Sequence, residues 1–247
     1  MTRTLSTALL LIATVALPGT GRAQDPSFAD WTNTIALYGF ATSLDGDSQV
    51  GDTENPVDVS FDQVLDSLET ALMARYRGQG GRWAFVVDSI FAGLGGTREG
   101  TFGKQDVDLD LLVVQSDAAY RFSETSEVLF GVRYVRFESQ VDVSGALGGA
   151  ARFENDASFF DPVVGLRTNR KLGEKMRLQA QGDIGGGVDM DLTWQAMLHL
   201  GYQPNPGLSF WLGYRALGLD FDDSGERNRF SADFVMHGPV LGAAFHF

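Results

Sequence analysis

The chain has 247 residues, a formal net charge of −13 and no cysteine. That length allows one large domain, and the missing cysteines exclude disulfides, thiol catalysis and Cys-based metal sites. The acidity argues against nucleic acid as a partner.

The first segment resembles an export signal. Arg3 is basic, Leu5 to Leu17 form a short apolar run, Pro18 and Gly19 break it, and Gly21-Arg22-Ala23 offers small residues at −3 and −1. This predicts a signal peptide over residues 1–23, cleaved before Gln24. The run is well short of the ~20 residues a spanning helix needs, and no Cys follows it for lipid attachment. Cleavage removes Arg3 and Arg22, which takes the formal charge from −13 to −15. No later stretch could span as a helix, since even Phe85–Ala92 is interrupted by Asp88. Any insertion into a bilayer must therefore use strands.

Residues 24–247 carry a rhythm of alternating segments, which predicts a single all-β domain, an antiparallel up-and-down transmembrane barrel of about ten strands. Eight is the alternative. The strands are expected near Thr32–Thr42, Thr70–Arg77, Arg82–Gly93, Leu109–Phe122, Glu127–Gln140, Phe159–Leu172, Met176–Gly186, Leu192–Gln203, Leu208–Phe221 and Phe230–Phe247. Tight turns fall at Gly78–Gly81, Ser123–Ser126, Gly173–Lys175 and Asn205–Gly207, each rich in turn-forming residues. Wider connections run over Asp45–Glu69, Gly95–Val107, Val143–Ser158, Gly187–Asp191 and Asp222–Asn228. Short turns belong on the periplasmic rim and the acidic loops outside. Within the first loop, Phe61, Val64, Leu65 and Leu68 recur at helical spacing behind Ser60. This predicts a short amphipathic helix with Ser60 as N-cap, its apolar stripe covering a surface such as the barrel mouth.

Lipid-facing positions must be apolar, and this phases each strand. Phe130, Val164, Ile184, Leu198 and Leu212 face out. Arg75, Asp88, Asp117, Arg133, Asp161, Arg167, Asp183 and Arg215 then face in. An Arg on the lipid face would cost roughly 2–4 kcal/mol near the midplane. The near balance of Arg and Asp predicts a network of Arg–carboxylate pairs filling a narrow lumen. A charged conduit is the alternative. Trp83, Tyr120, Tyr202, Phe210 and Phe247 fall near the short-turn ends, and Tyr134, Phe160 and Trp194 toward the loop ends, as in two aromatic girdles.

Catalytic patterns are sparse. The three histidines are His199, His237 and His246, and neither G-x-S-x-G nor H-E-x-x-H occurs. His199 is the best base candidate for a serine hydrolase, with Ser209 on the next strand. His237 and the acids Asp189, Asp191, Asp220, Asp222 and Asp223 are the candidates for a protease at the outer rim. Asp45-Gly46-Asp47 offers oxygen ligands for a divalent cation but lacks EF-hand spacing. No catalytic residue, resident metal or cofactor is assigned.

Several segments, in order, resemble a family of small bacterial outer-membrane barrel proteins of mostly unassigned function, of the OmpA- and OmpW-like type. They are Val57–Phe61, Val64–Leu68, Gly81-Arg82-Trp83, Asp183–Gly186, Thr193–Gln195, Gly213–Leu217 and Gly238–Gly242. The resemblance implies a Gram-negative outer-membrane location. It also implies that Leu241, Phe245 and Phe247 serve as the signal for the barrel-assembly machinery. The expected partners are outer-membrane lipid and lipopolysaccharide, around a monomer. The expected role is structural or surface-interactive, the rivals being a narrow solute channel and a barrel hydrolase.

Overall fold

The computed structural model describes residues 31–50, 53–100, 103–145, 150–223 and 230–247. The segment predicted as a signal peptide lies outside them, as does most of the loop expected at Asp222–Asn228. The first strand, β1 (Thr32–Phe40), leads through β2 (Ser43–Val50), β3 (Thr53–Val59) and helix α1 (Phe61–Ser67) to β4 (Leu68–Gly80). Then follow β5 (Trp83–Gly100), β6 (Gly103–Arg121), β7 (Ser126–Gly145), β8 (Ala150–Lys171) and β9 (Met176–Gly185). The chain ends with β10 (Leu192–Asn205), β11 (Leu208–Asp223) and β12 (Phe230–His246). Strands β1 and β4 to β12 pair antiparallel in sequence order, and β1 closes on β12 with Thr34 opposite His246 and Phe40 opposite Val240. The result is a closed barrel of ten strands, not eight.

The tight turns sit where turn chemistry puts them. Gly81 adopts φ +57° between β4 and β5, a conformation that favours glycine. The Ser123 hydroxyl accepts from the amides of Thr125 and Ser126. Asn205 Oδ1 accepts from the Gly207 amide at 3.0 Å. These side chains replace backbone partners lost at the reversals.

Three of the wider connections differ from expectation. The stretch Gly95–Val107 is largely ladder, with β5 and β6 paired out to Gly100 and Gly103. Val143–Ser158 likewise extends β7 and β8, paired from Ser126–Thr168 out to Ser144–Ala150. In the first loop, β2 pairs with the outer half of β12 and β3 pairs with β2. The outer end therefore carries two sheet flaps. Polar residues can continue a strand because cross-strand ion pairs and backbone bonds need no apolar face. Arg152 bonds Asp142 twice, at 2.7 and 3.0 Å, and Arg136 bonds Asp156 at 3.0 Å.

Helix α1 forms as predicted, with Ser60 at its N-cap. Its stabilising contact is a capping box in which Gln63 Oε1 accepts from the Ser60 amide at 2.9 Å. No α1 residue is buried, and Phe61, Leu65 and the following Leu68 stay exposed. The stripe does not cover the barrel mouth. Seven residues are too short a helix to reach across it.

Alternation sorts the wall into two faces. Phe85, Phe130, Val164, Ile184, Leu198, Leu212 and Leu241 are 46–63% exposed, on a protein whose charged residues at alternate positions are buried. So wide an apolar surface is destined for hydrocarbon. Trp194 and Tyr202 bracket the belt on β10. Eight residues at ~3.3 Å each, tilted ~40°, give roughly 20 Å of height, close to the band of a membrane barrel. Trp83 and Tyr120 pack in a tilted pair, ring centroids 4.9 Å apart, near the short-turn end. Among the described residues no helix is long and apolar enough to cross a membrane.

Candidate functional site: a layered lumen

The barrel interior has three layers. The outer one is apolar: Phe40, Met73, Ile90, Val113, Val135, Leu217, Leu219 and Met236 form a buried cluster. Met190, from the β9–β10 connection, joins it at 3% exposure. The alternation of charges predicts a polar lumen throughout, and this apolar layer differs from that expectation. An apolar residue at an alternating position fits either face, and only the charged neighbours revealed the phase.

Asp161 holds the apolar layer's lid. It is 1% exposed, and its carboxylate accepts from the amides of Val188, Asp189 and Met190 at 3.0–3.1 Å. Asp189 in turn accepts from the Phe160 amide at 2.7 Å. Asp161 thus folds the β9–β10 connection inward and, among the described residues, pairs with no Arg. That corrects the expected role of Asp161.

The middle layer is polar. Arg133 is 1% exposed and Asp183 is fully buried, and they form an ion pair. Arg133 also donates to Gln115 Oε1, at 2.5 and 3.1 Å, and to Thr193 Oγ1 at 2.5 Å. Asp183 accepts further bonds from Gln181 and Gln195 at 3.0 Å. Beside it, Arg215 lies 3.2 Å from Asp88. Arg215 also donates to the Tyr38 hydroxyl at 2.9 Å, and Tyr38 donates to Asp88 at 2.7 Å. Asp117 is paired with an amide, accepting from Gln115 Nε2 at 3.1 Å, and meets no Arg at ion-pair distance among the described residues. The eight charges all face inward, but they do not pair one to one. Neutral Gln115, Gln181, Gln195 and Thr193 link them, because an amide satisfies a buried charge without adding another.

The third layer is a vestibule of about 1150 Å³ that opens at the short-turn end. Arg75, Arg167 and His199 stand deepest in its lining. Trp211 stacks on His199 at 4.5 Å and meets Tyr38 at 5.5 Å. Gly242 makes room for this indole, since a Cβ there would fall 2.5–2.6 Å from its ring atoms. Arg167 donates to Gln181 at 2.7 and 3.0 Å, and Arg75 donates to the same oxygen at 3.0 Å. Glu127, Arg77 and Trp211 escaped the sequence reading. Extending the period-2 phasing of their strands toward the turns would have found them.

The catalytic candidates are separated. His199 does not meet Ser209. Instead Ser209 Oγ lies 2.8 Å from His246 Nε2, and Thr34 Oγ1 lies 2.9 Å from His246 Nδ1. This pair has nucleophile–base spacing, but a neutral hydroxyl stands where a carboxylate would stabilise an imidazolium. His237 contacts Asp45 across the β12–β2 seam and Tyr214 at 2.7 Å. That cluster lies on the outward face, where polar positions replace the belt above Tyr214 and Pro239. Asp45 and Asp47 belong to strand β2 rather than a ligand loop. No group of three metal-binding side chains occurs among the described residues. At the barrel seam, Leu241, Phe245 and Phe247 are 52–64% exposed on the outward face.

No protein-family model matches the chain, and no curated protein matches it by sequence. Solved structures are similar in shape. Ail, the attachment invasion locus protein of Yersinia pestis, aligns with a TM-score of 0.41 at 10% identity, over 88% of this chain and 98% of that one. The outer membrane protease OmpT of Escherichia coli gives 0.49 at 10%, over 88% and 96%. The Ralstonia pickettii toluene transporter TbuX gives 0.41 at 12%, over 87% and 88%. These likenesses are of overall shape, and a fold by itself selects no activity. By its closure, apolar belt and alternation of short turns with long outer hairpins, the chain is a β-barrel of the bacterial outer-membrane type.

Proposed function

We propose that the protein is a sealed barrel of the outer membrane that acts through envelope structure and contact at its outer flaps, rather than as an open pore. The observation that supports this is the sequence of two tightly packed layers across the lumen. The apolar cluster around Leu217 and Met190 stacks outside the Arg133–Asp183 network, and neither borders the vestibule. The β6–β8 flap carries acids along its outward face, including Asp106, Asp142, Glu154 and Asp156, partly neutralised by Lys104, Arg136 and Arg152. Such a surface suits cation-bridged contact with lipopolysaccharide. Leu241, Phe245 and Phe247 would be the strand read by the assembly machinery. Among the described residues the Ser209–His246 pair is the one foothold for a hydrolase, and Thr34 stands where an acidic partner would drive it.

The test is conductance of the refolded protein in a planar bilayer. A silent membrane with confirmed insertion supports the sealed reading. Steady discrete openings whose ion selectivity changes in Arg133→Ala would replace it with a channel.

A further inference from the structure

The acidic chain keeps an opposite charge inside its short-turn end. Among the described residues Arg75, Arg77, Arg121, Arg167, Arg170, Lys171 and Arg177 border the vestibule, against only Glu124 and Glu127 among carboxylates. The chain as a whole has 32 acids and 19 Lys and Arg, so this local excess runs against its composition.

The cations are also under-neutralised. Among the described residues Glu127 is the single carboxylate for three guanidiniums: Arg77 at 2.6 Å, Arg167 at 3.5 Å and Arg121 at 3.6 Å. Arg75 has an amide partner, Gln181, and no carboxylate at ion-pair distance among the described residues. Two donors or acceptors bordering the cavity, Arg77 Nη1 and His199 Nε2, are buried without a hydrogen-bond partner. Arg167 is only 5% exposed and is held in place by two bonds to Gln181. A buried, oriented guanidinium is costly to keep unless an anion completes its shell.

We propose that the vestibule is a binding site for a phosphate-bearing anion that enters from the periplasmic side and seats among Arg75, Arg77, Arg121 and Arg167, beside Glu127. Guanidiniums bind phosphate oxygens bidentately, and several around one group match a dianion better than a single carboxylate. The low-dielectric barrel wall focuses the positive field toward the mouth and raises the local anion concentration. Its volume admits a multiply phosphorylated small molecule. The assignment stands whether or not the lumen conducts, because the site lies wholly on one side of the packed layers.

The test uses the full-length mature barrel refolded in non-ionic detergent, with inositol hexakisphosphate as the probe and myo-inositol as the uncharged control. Calorimetry should show one saturable site that weakens at least tenfold between low and high salt, as expected for charge-driven binding. Trp211, at the vestibule ceiling, should report it by a change in fluorescence. Arg77→Gln and Arg121→Gln should each weaken binding tenfold or more, with folding checked by heat-modifiable gel migration. If either fails to fold, Arg170→Gln combined with Arg177→Gln, both at exposed positions, should give the same loss. Arg152→Gln on the outer flap should leave affinity unchanged. Absence of saturable heat from the folded barrel would overturn the proposal, as would equal loss in Arg152→Gln. So would binding that appears only in phosphatidylglycerol bilayers, which would assign the arginines to lipid headgroups at the rim.

Discussion

Replacing Arg133 with Ala should cost the barrel about 3 kcal/mol. The side chain is 1% exposed and its partner Asp183 is fully buried. Removing one member of a buried ion pair typically costs roughly 3–5 kcal/mol, because the other charge is stranded. Here Asp183 keeps amide donors from Gln181 and Gln195 at 3.0 Å. Bonds to a charged group are worth roughly 1.5–3 kcal/mol each, which places the loss at the lower end of that range. The folding equilibrium should then fall on the order of a hundredfold. Urea unfolding in lipid vesicles, followed by tryptophan fluorescence and by heat-modifiable migration, would measure it. The double variant Arg133→Met with Asp183→Leu should recover much of the loss, since it leaves no stranded charge. A single variant within about 1 kcal/mol of the parent, or a double variant no better than the single, would refute the reasoning that the pair is dry and mutually dependent.

Three further outcomes are expected. Leu198→Arg, at an outward position 52% exposed in the middle of the belt, should destabilise the inserted barrel by roughly 2–4 kcal/mol; a negligible shift in the same unfolding assay would place this position outside the hydrocarbon. Asp161→Asn removes a charged acceptor from three amides and should cost about 1–3 kcal/mol, with new protease cleavage within residues 186–191 on the intact barrel. An uncut connection would show that packing of Met190 alone holds it. On the β7–β8 flap, the Arg152 guanidinium bonded to Asp142 holds its carboxyl below the usual carboxylate range. A lowered folded-state value means that the stabilisation is complete above the ordinary value, ~4, and is lost as pH falls through the folded one. The amide protection factor across the Asp142–Arg152 rung should therefore fall between pH 5 and about pH 2, and Asp142→Asn should abolish that fall.

Much of the wall was legible because a bilayer punishes the wrong phase. Arg133 and Arg167 alternate with Phe130, Val164 and Leu166, and only one orientation keeps the charges out of lipid. The tight turns at Gly81, Ser123 and Asn205 were legible for local reasons, since each needs a particular residue. The outer flaps were not. Arg152 opposite Asp142 is a pairing across ten positions of polar sequence, and neither residue signals a strand alone. The lumen was legible in sign but not in partnership. Asp161 sits in the same inward row as Arg167, yet it caps the backbone of residues 188–190 rather than an arginine. Glu127 drew no attention because a single acid near a turn looks solvated, whereas closure of the barrel surrounds it with Arg77, Arg121 and Arg167.

By itself the sequence determined the strand-based architecture, the number of barrel strands to within two, and which side chains face in. Each follows from period-2 alternation acting against the cost of charge in hydrocarbon, a constraint local to each strand. Only the tertiary structure decided how the inward side chains divide into an apolar layer, a hydrogen-bonded layer and a cationic vestibule. That division depends on register and closure around the ring, which place Leu217 near Phe40, Arg133 near Asp183, and three arginines around one glutamate from strands far apart in the chain.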